Sequence, residues 1–314
     1  MIRLPGVPAL AGVLLLTILS TAGCATPQLA ALLAQPPAKL PPGAELAAVP
    51  FYPQKDYQCG PAALATALAH AGVATTSAAL VPQVYLPARE GSLQIEMLAA
   101  ARRFGLTAYR LAPRLADLLQ EVADGTPVIA LQNLAFEFAP LWHYAVVVGY
   151  DLPREEIILR SGTTHRLVMT LSNFERTWTR GGSWAMVTLP PERLPVTATE
   201  DRYVVAVAAL ERVAPEAARR AYGAALERWP GNLLAHIGQG NAAYAMRDLS
   251  GAEAAYREAL RRHPGAADAW NNLAQTLLEL RRRDEALAAA QRAIDIGGPR
   301  LAEYRATLKA ARSQ

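Results

Sequence analysis

The chain has 314 residues, 52% of them hydrophobic and 18% charged, with a formal net charge of +4. That length and apolar content support two domains with well-buried cores and exclude a disordered chain. Residues 24–199 balance 13 Lys+Arg against 13 Asp+Glu and residues 200–314 hold 17 against 14, too weak a positive excess for a nucleic-acid groove.

The chain begins MIRLPGVPALAGVLLLTILSTAGC, with one Arg, an apolar run to Leu19 and small residues up to Cys24. This composition predicts an export signal over residues 1–23, too short for a good membrane span. The ending TAGC resembles a bacterial lipobox, although Thr21 stands where Leu is more usual. The resemblance implies that Cys24 becomes a lipid-modified N-terminus anchored in the cell envelope; Ala25 after it resembles lipoproteins of the outer membrane. Each buried acyl methylene contributes about 0.8 kcal/mol to such an anchor. With Cys24 acylated, Cys59 has no partner for an intramolecular disulfide in a compartment where disulfides normally form. Residues 24–48 are Ala- and Pro-rich with two Pro-Pro pairs, and read as a tether.

The next segment mixes element types. Helices are expected from Cys59, over Ser92–Phe104 with Gly105 as the stop, and over Arg114–Ala123. Strands follow, beginning at Pro127, His143, Glu156, His165 and Ser183. Helices first and antiparallel strands after predict a segregated α+β domain over residues 49–189. A Pro-rich break at residues 190–199 reads as a linker.

Beyond Thr199 the chain is helical and repetitive. Pro230 and Pro264 lie 34 residues apart, the period of the tetratricopeptide helix pair. On that period Tyr222 coincides with Tyr256, Ala218 with Ala252 and Ala286, and Ala225 with Ala259 and Ala293. Gly240 supplies the small residue that lets helices approach. Three repeats are expected from about Glu200, Leu233 and Ala267, with Arg300–Arg312 as a capping helix. The first copy is degenerate, and the third has Gly298 where Pro is usual. Such an all-α solenoid over residues 200–314 implies a protein or peptide partner and no chemistry of its own.

The stretch QCGPAALATALAH places one cysteine at a helix start. Pro61 suits the first turn because its missing N–H would be unpaired there, so Cys59 meets the positive end of the helix, which favours a thiolate. Gly60 would allow close approach by a substrate backbone. A thiolate needs a base, and the five histidines can be sorted. His236 and His263 are expected on repeat surfaces. His70 lies eleven residues along the cysteine's own helix, about 16 Å away. His165 sits in the solvated turn-to-strand segment SGTTHRL. His143 opens WHYAVVVGYD, an apolar strand that would hold an imidazole rigidly at its mouth.

QCGPAAL and HYAVVVGYD together resemble the papain-like cysteine peptidases, and among them the bacteriocin-processing branch that cuts after double-glycine leaders. The resemblance covers roughly Val49–Leu189. It implies Cys59 as nucleophile, His143 as general acid/base, and an upstream glutamine that helps the cysteine N–H hold the oxyanion. Family members usually place that glutamine six residues before the cysteine; here Gln54 is five before and Gln58 adjacent, and Gln54 is preferred. The Asp or Asn that orients the histidine is replaced by Ser161 at the end of ILRS. A hydroxyl can accept from the ring N–H but lacks the charge that stabilises imidazolium. Asp151, eight residues along the histidine's own strand, is about 26 Å away if extended. Trp142, Trp178 and Trp184 could wall the cleft, core packing being the expected role of at least two.

The expected function is a membrane-tethered peptidase that attacks peptide or protein substrates through a thiolate–imidazolium pair, without cofactor or metal. No GxxxxGK[ST] sequence occurs, so the exporter ATPase to which the bacteriocin-processing relatives are fused has no counterpart within the 314 residues. A non-catalytic peptide-binding scaffold and a Cys-His acyltransferase are the alternatives.

Overall fold

The computed structural model describes residues 26–313. The proposed signal and Cys24 lie outside the described residues. The chain opens with α1 (Pro27–Ala34) and β1 (Gly43–Glu45), followed by α2 (Cys59–His70), α3 (Ser77–Val84), the hairpin β2 (Tyr85–Leu86) and β3 (Gly91–Ser92), and α4 (Gln94–Arg103). Then come β4 (Thr107–Arg110), α5 (Leu115–Ala123), β5 (Val128–Asn133), β6 (Trp142–Asp151), β7 (Glu156–Ser161), β8 (Thr164–Thr170), α6 (Leu171–Arg180) and β9 (Ala185–Leu189). The larger sheet runs β4-β9-β5-β6-β7-β8, with β1 beside the far end of β6, and its pairings are antiparallel.

Strand alternation explains why β6 is apolar throughout. Tyr144, Val146 and Val148 pack with α2, α3 and α4 on one face of the sheet. Ala145 and Val147 pack with α1, α5 and α6 on the other.

Residues 26–48, the described part of the segment 24–48, are not the tether expected from composition. Leu29 and Leu32, three apart on one face of α1, are buried against the second face of the sheet. Glu175 of α6 accepts from the N–H groups of Gln28 (2.9 Å) and Leu29 (2.7 Å), satisfying two donors that a helix start leaves free. β1 then joins the sheet through Gly43↔Asp151, Ala44↔Tyr150 and Glu45↔Gly149.

The helical region begins with α7 (Glu200–Glu211) and α8 (Pro215–Arg228). α9 (Leu233–Ala245) pairs with α10 (Leu249–Arg262), α11 (Ala267–Glu279) with α12 (Arg283–Ile296), and α13 (Leu301–Ser313) closes the array. Helix starts at Glu200, Leu233 and Ala267 coincide with the periods read from sequence. A Cβ on Gly240 would stand 2.5 Å from the Tyr256 ring, and one on Gly238 2.2 Å from that of Tyr222, so glycine permits this crossing.

The break at residues 190–199 does not uncouple the two regions. Tyr203, Val204, Val207 and Leu210 of α7 belong to the same core as Tyr109 of β4 and Leu118 of α5. The fully buried Glu121 carboxylate accepts from the N–H groups of Val196 (3.3 Å) and Thr197 (2.8 Å) and from the Thr197 hydroxyl (2.6 Å). His236, expected at the surface, is buried with Nε2 3.0 Å from the Pro230 carbonyl.

Candidate active site

Cys59 is the first residue of α2 and is buried. Its N–H makes no hydrogen bond among the described residues, as expected at a helix start. Gly60 is required for a reason internal to the fold and not for substrate approach. A Cβ there would fall 2.3 Å from Ser92 Oγ and 2.6 Å from Ser92 Cβ, so the β2–β3 hairpin closes over the helix start. The Tyr144 hydroxyl donates to the Ser92 carbonyl at 3.2 Å, tying that hairpin to β6.

Folding gathers Gln54, Cys59, Tyr144, Arg160 and Ser161 around one narrow cleft. Gln54 reaches it because its backbone N–H donates to the Gly162 carbonyl at 3.1 Å, fastening the segment before α2 to the β7–β8 turn. Gln58 occupies the N-cap position of α2 and does not line the cleft. Ser161 closes β7, where a register shift between Leu159 and Ser161 re-aims the strand end. Its Oγ lies 2.8 Å from His143 Nε2. His143 Nδ1 makes no hydrogen bond among the described residues, and none joins the ring to the Cys59 sulfur.

Burial governs the protonation of both groups. It pushes the Cys59 thiol up, while the backbone N–H groups of Tyr144, Gly60 and Cys59 itself act to lower it. The Tyr144 N–H that faces the sulfur belongs to the residue next to His143, which brings α2 and the mouth of β6 together. Burial also pushes the His143 imidazole below its ordinary value. Burial thus favours the neutral thiol and the neutral ring, against the thiolate that the helix start alone would favour.

The other candidates fall elsewhere. His70 Nε2 lies 3.0 Å from the Gly125 carbonyl. His165 is exposed, edge-on to Phe51 with ring centroids 5.5 Å apart. His263 Nε2 lies 2.8 Å from the Gly231 carbonyl in the repeats. Asp151 caps the β6–β7 turn at the opposite end of β6, accepting from the Arg154 N–H. Trp178 and Trp184 are core residues, and Trp142 is exposed beside His143.

Two lining residues were not singled out from sequence. Tyr144 is held with its phenol protonated by burial and the nearby Cys59. Arg160 is buried, and its guanidinium donates to the carbonyls of Ala47, Val49 and His165, pinning the segment that leads to Gln54. A lone arginine in the apolar run EIILRS was the signal for it.

Residues 46–186 match the model of the Peptidase_C39 like family. The first domain is a C39-like peptidase domain. Residues 237–300 match the tetratricopeptide repeat model, and the match leaves out the degenerate first copy. Among solved structures, a putative C39-like peptidase from Bacillus anthracis is 19% identical with a TM-score of 0.40, covering 47% of this chain and 97% of its own. The peptidase domain of Streptococcus ComA, a bi-functional ABC transporter involved in a quorum-sensing pathway, is 23% identical with a TM-score of 0.38, covering 45% of this chain and 98% of its own. No protein of curated function matches the sequence.

Proposed function

We propose that the protein is a cysteine peptidase, held to a cell-envelope membrane through Cys24, that cleaves peptide bonds at Cys59. The observation that carries this reading is the convergence of Gln54, Cys59 and Ser161 on one cleft with His143 tied to Ser161. With His143 Nε2–H donating to Ser161 Oγ, Nδ1 is left as the base. As the sulfur attacks a substrate carbonyl, its proton passes to Nδ1; the resulting imidazolium returns it to the leaving amine, giving an acyl-enzyme that water hydrolyses. The free Cys59 N–H and the Gln54 amide are the donors for the oxyanion. The tetratricopeptide helices recruit the substrate or a protein partner.

A peptidyl electrophile tests the catalytic assignment. Labelling should occur at Cys59 and slow by about 10²-fold or more in His143→Ala, the range expected for loss of a general base. Equal rates with and without His143 would defeat it.

The non-catalytic scaffold remains the second reading because Ser161 supplies no charge and burial favours the neutral pair. It requires that Cys59→Ser leave the cellular role intact while loss of the outer repeats abolishes it. The deletion should begin after α9, since α7, α8 and Ala235 complete the core of the peptidase domain. An acyltransferase using the same pair would yield modified envelope proteins without new termini, which mass spectrometry separates from proteolysis.

A further inference from the structure

Arg160 is 3% exposed and makes no ion pair among the described residues, Glu45 nearby being paired with Arg166 instead. Burying a guanidinium without a counter-charge is costly, and an apolar side chain of similar length would serve packing at least as well. Its donors point to another use. Nε and one Nη reach the Val49 carbonyl (3.3 and 3.2 Å), the same Nη reaches the Ala47 carbonyl (3.1 Å), and the other Nη reaches the His165 carbonyl (2.8 Å). The planar fork thus ties together two stretches far apart in sequence, residues 47–49 and the start of β8.

Both stretches border the cleft. Leu159 faces Leu167 and Ser161 faces Thr164, so at the register shift Arg160 stands opposite both His165 and Arg166. The two residues that follow Arg160 then carry the contacts of the site. Ser161 Oγ lies against His143 Nε2, and the Gly162 carbonyl accepts from the Gln54 N–H at 3.1 Å. Arg160, Ser161 and Gly162 therefore hold, in sequence order, the segment leading to Gln54, the histidine, and Gln54 itself.

Gln54 needs this support because no regular element carries it. Between β1 and α2 the chain forms neither helix nor strand, and Tyr57 adopts a left-handed φ of 60°. Among the described residues, two hydrogen bonds tie residues 50–57 to the rest of the fold: the Gln54 N–H to Gly162, and the Tyr52 hydroxyl to the Thr75 carbonyl at 3.2 Å. Cys59 and Ser161, by contrast, are set by α2 and by the β7–β8 ladder.

We propose that Arg160 is a positioning residue for the oxyanion donor: by clamping the carbonyls of Ala47 and Val49 to the β7–β8 hairpin, it fixes where Gln54 enters the cleft. The inference rests on the peptidase reading. Its consequence is selective. Loss of Arg160 should weaken reactions that place negative charge on a carbonyl oxygen and spare those that need only the sulfur and His143.

The test compares two reactions at Cys59 in the full chain. The peptide aldehyde N-acetyl-phenylalanyl-glycinal adds the sulfur at its carbonyl carbon: an S–C bond forms, the C=O π bond breaks, and the thiol proton ends on that oxygen, which occupies the oxyanion position. Iodoacetamide alkylates the same sulfur by displacing iodide, with no charge developing on a carbonyl oxygen. Gln54→Ala and Arg160→Met should each weaken aldehyde binding about tenfold or more while changing the alkylation rate by less than about twofold. The double variant should bind no more weakly than Gln54→Ala alone, because both changes remove one function. Arg160→Lys, which keeps the charge and fewer donors, should recover part of the loss, and it carries the same comparison if circular dichroism shows Arg160→Met unfolded. Unchanged aldehyde binding, a parallel fall in both reactions, or an Arg160 effect of equal size with and without Gln54 would overturn the proposal. Aldehyde binding by the wild type no tighter than by His143→Ala would defeat the peptidase reading itself. Binding that depends on His143 but not on Gln54 would remove the Arg160 proposal alone.

Discussion

Replacing Ser161 by Asp should convert the neutral Cys59–His143 pair toward its charged form. Ser161 Oγ stands 2.8 Å from His143 Nε2. A carboxylate there would lie about 4 Å from the imidazolium charge, an attraction of about 4 kcal/mol at an effective dielectric constant of ~20. That equals about 3 pKa units at 1.36 kcal/mol each. Desolvating the new carboxylate in a half-buried position offsets part, leaving an upward shift of about 1–2 units for His143. In the wild type, burial lowers His143 and raises Cys59, so neither is charged near neutral pH. Raising the imidazole puts a positive charge near the sulfur, which favours the thiolate. The midpoint for alkylation of Cys59 by iodoacetamide, followed from about pH 5 to 10, should therefore fall by about 1–2 units. Ser161→Ala, which adds no charge, should leave the midpoint in place while slowing turnover. Superimposable alkylation profiles for the wild type and the Asp variant, with the His143 ring shifted upward by NMR, would refute the coupling of ring and sulfur.

Further outcomes follow from the packing around the site and between the domains. Gly60→Ala should destabilise by about 1–3 kcal/mol through overpacking against Ser92, and adding Ser92→Gly should restore most of the loss in urea unfolding. Glu121→Ala removes the acceptor for three donors of the 196–197 segment and should lower stability by about 2–4 kcal/mol. Burial raises the Glu121 carboxyl above its ordinary 4.5, so the native state holds that proton more tightly than the unfolded chain. Its ionisation then takes stability away as pH climbs above 4.5. Urea unfolding at pH 4.5 and 7 should show a steeper decline for the wild type than for Glu121→Gln; parallel declines would mean that Glu121 does not titrate in this window.

Local rules carried much of the reading. The helix start at Cys59, the apolar strand after His143 and the 34-residue period depend on side-chain type and spacing, which are written along the chain. Ser161 came from the family resemblance, which puts an orienting residue at the end of the strand after the histidine's, and the structure sets it against the ring. Composition failed at α1, where Ala and Pro suggested a tether, because Leu29 and Leu32 acquire meaning only with a second surface to bury them. α6 was missed for a similar reason: LSNFERTWTR is mostly polar, and its buried Leu171, Phe174 and Trp178 mark a helix face only once the sheet lies beneath them.

The Cys59 helix and the repeat period are fixed by neighbours in sequence, whose geometry follows from backbone periodicity. Three features were settled by surfaces that meet only on folding: the Ser92 hairpin over Gly60, Arg160 bound to three carbonyls, and α7 in the core of the peptidase domain. The protonation of the site belongs with them. A helix start taken alone favours the thiolate, and desolvation by the packed sheet reverses that preference, because burial depends on every layer around the sulfur.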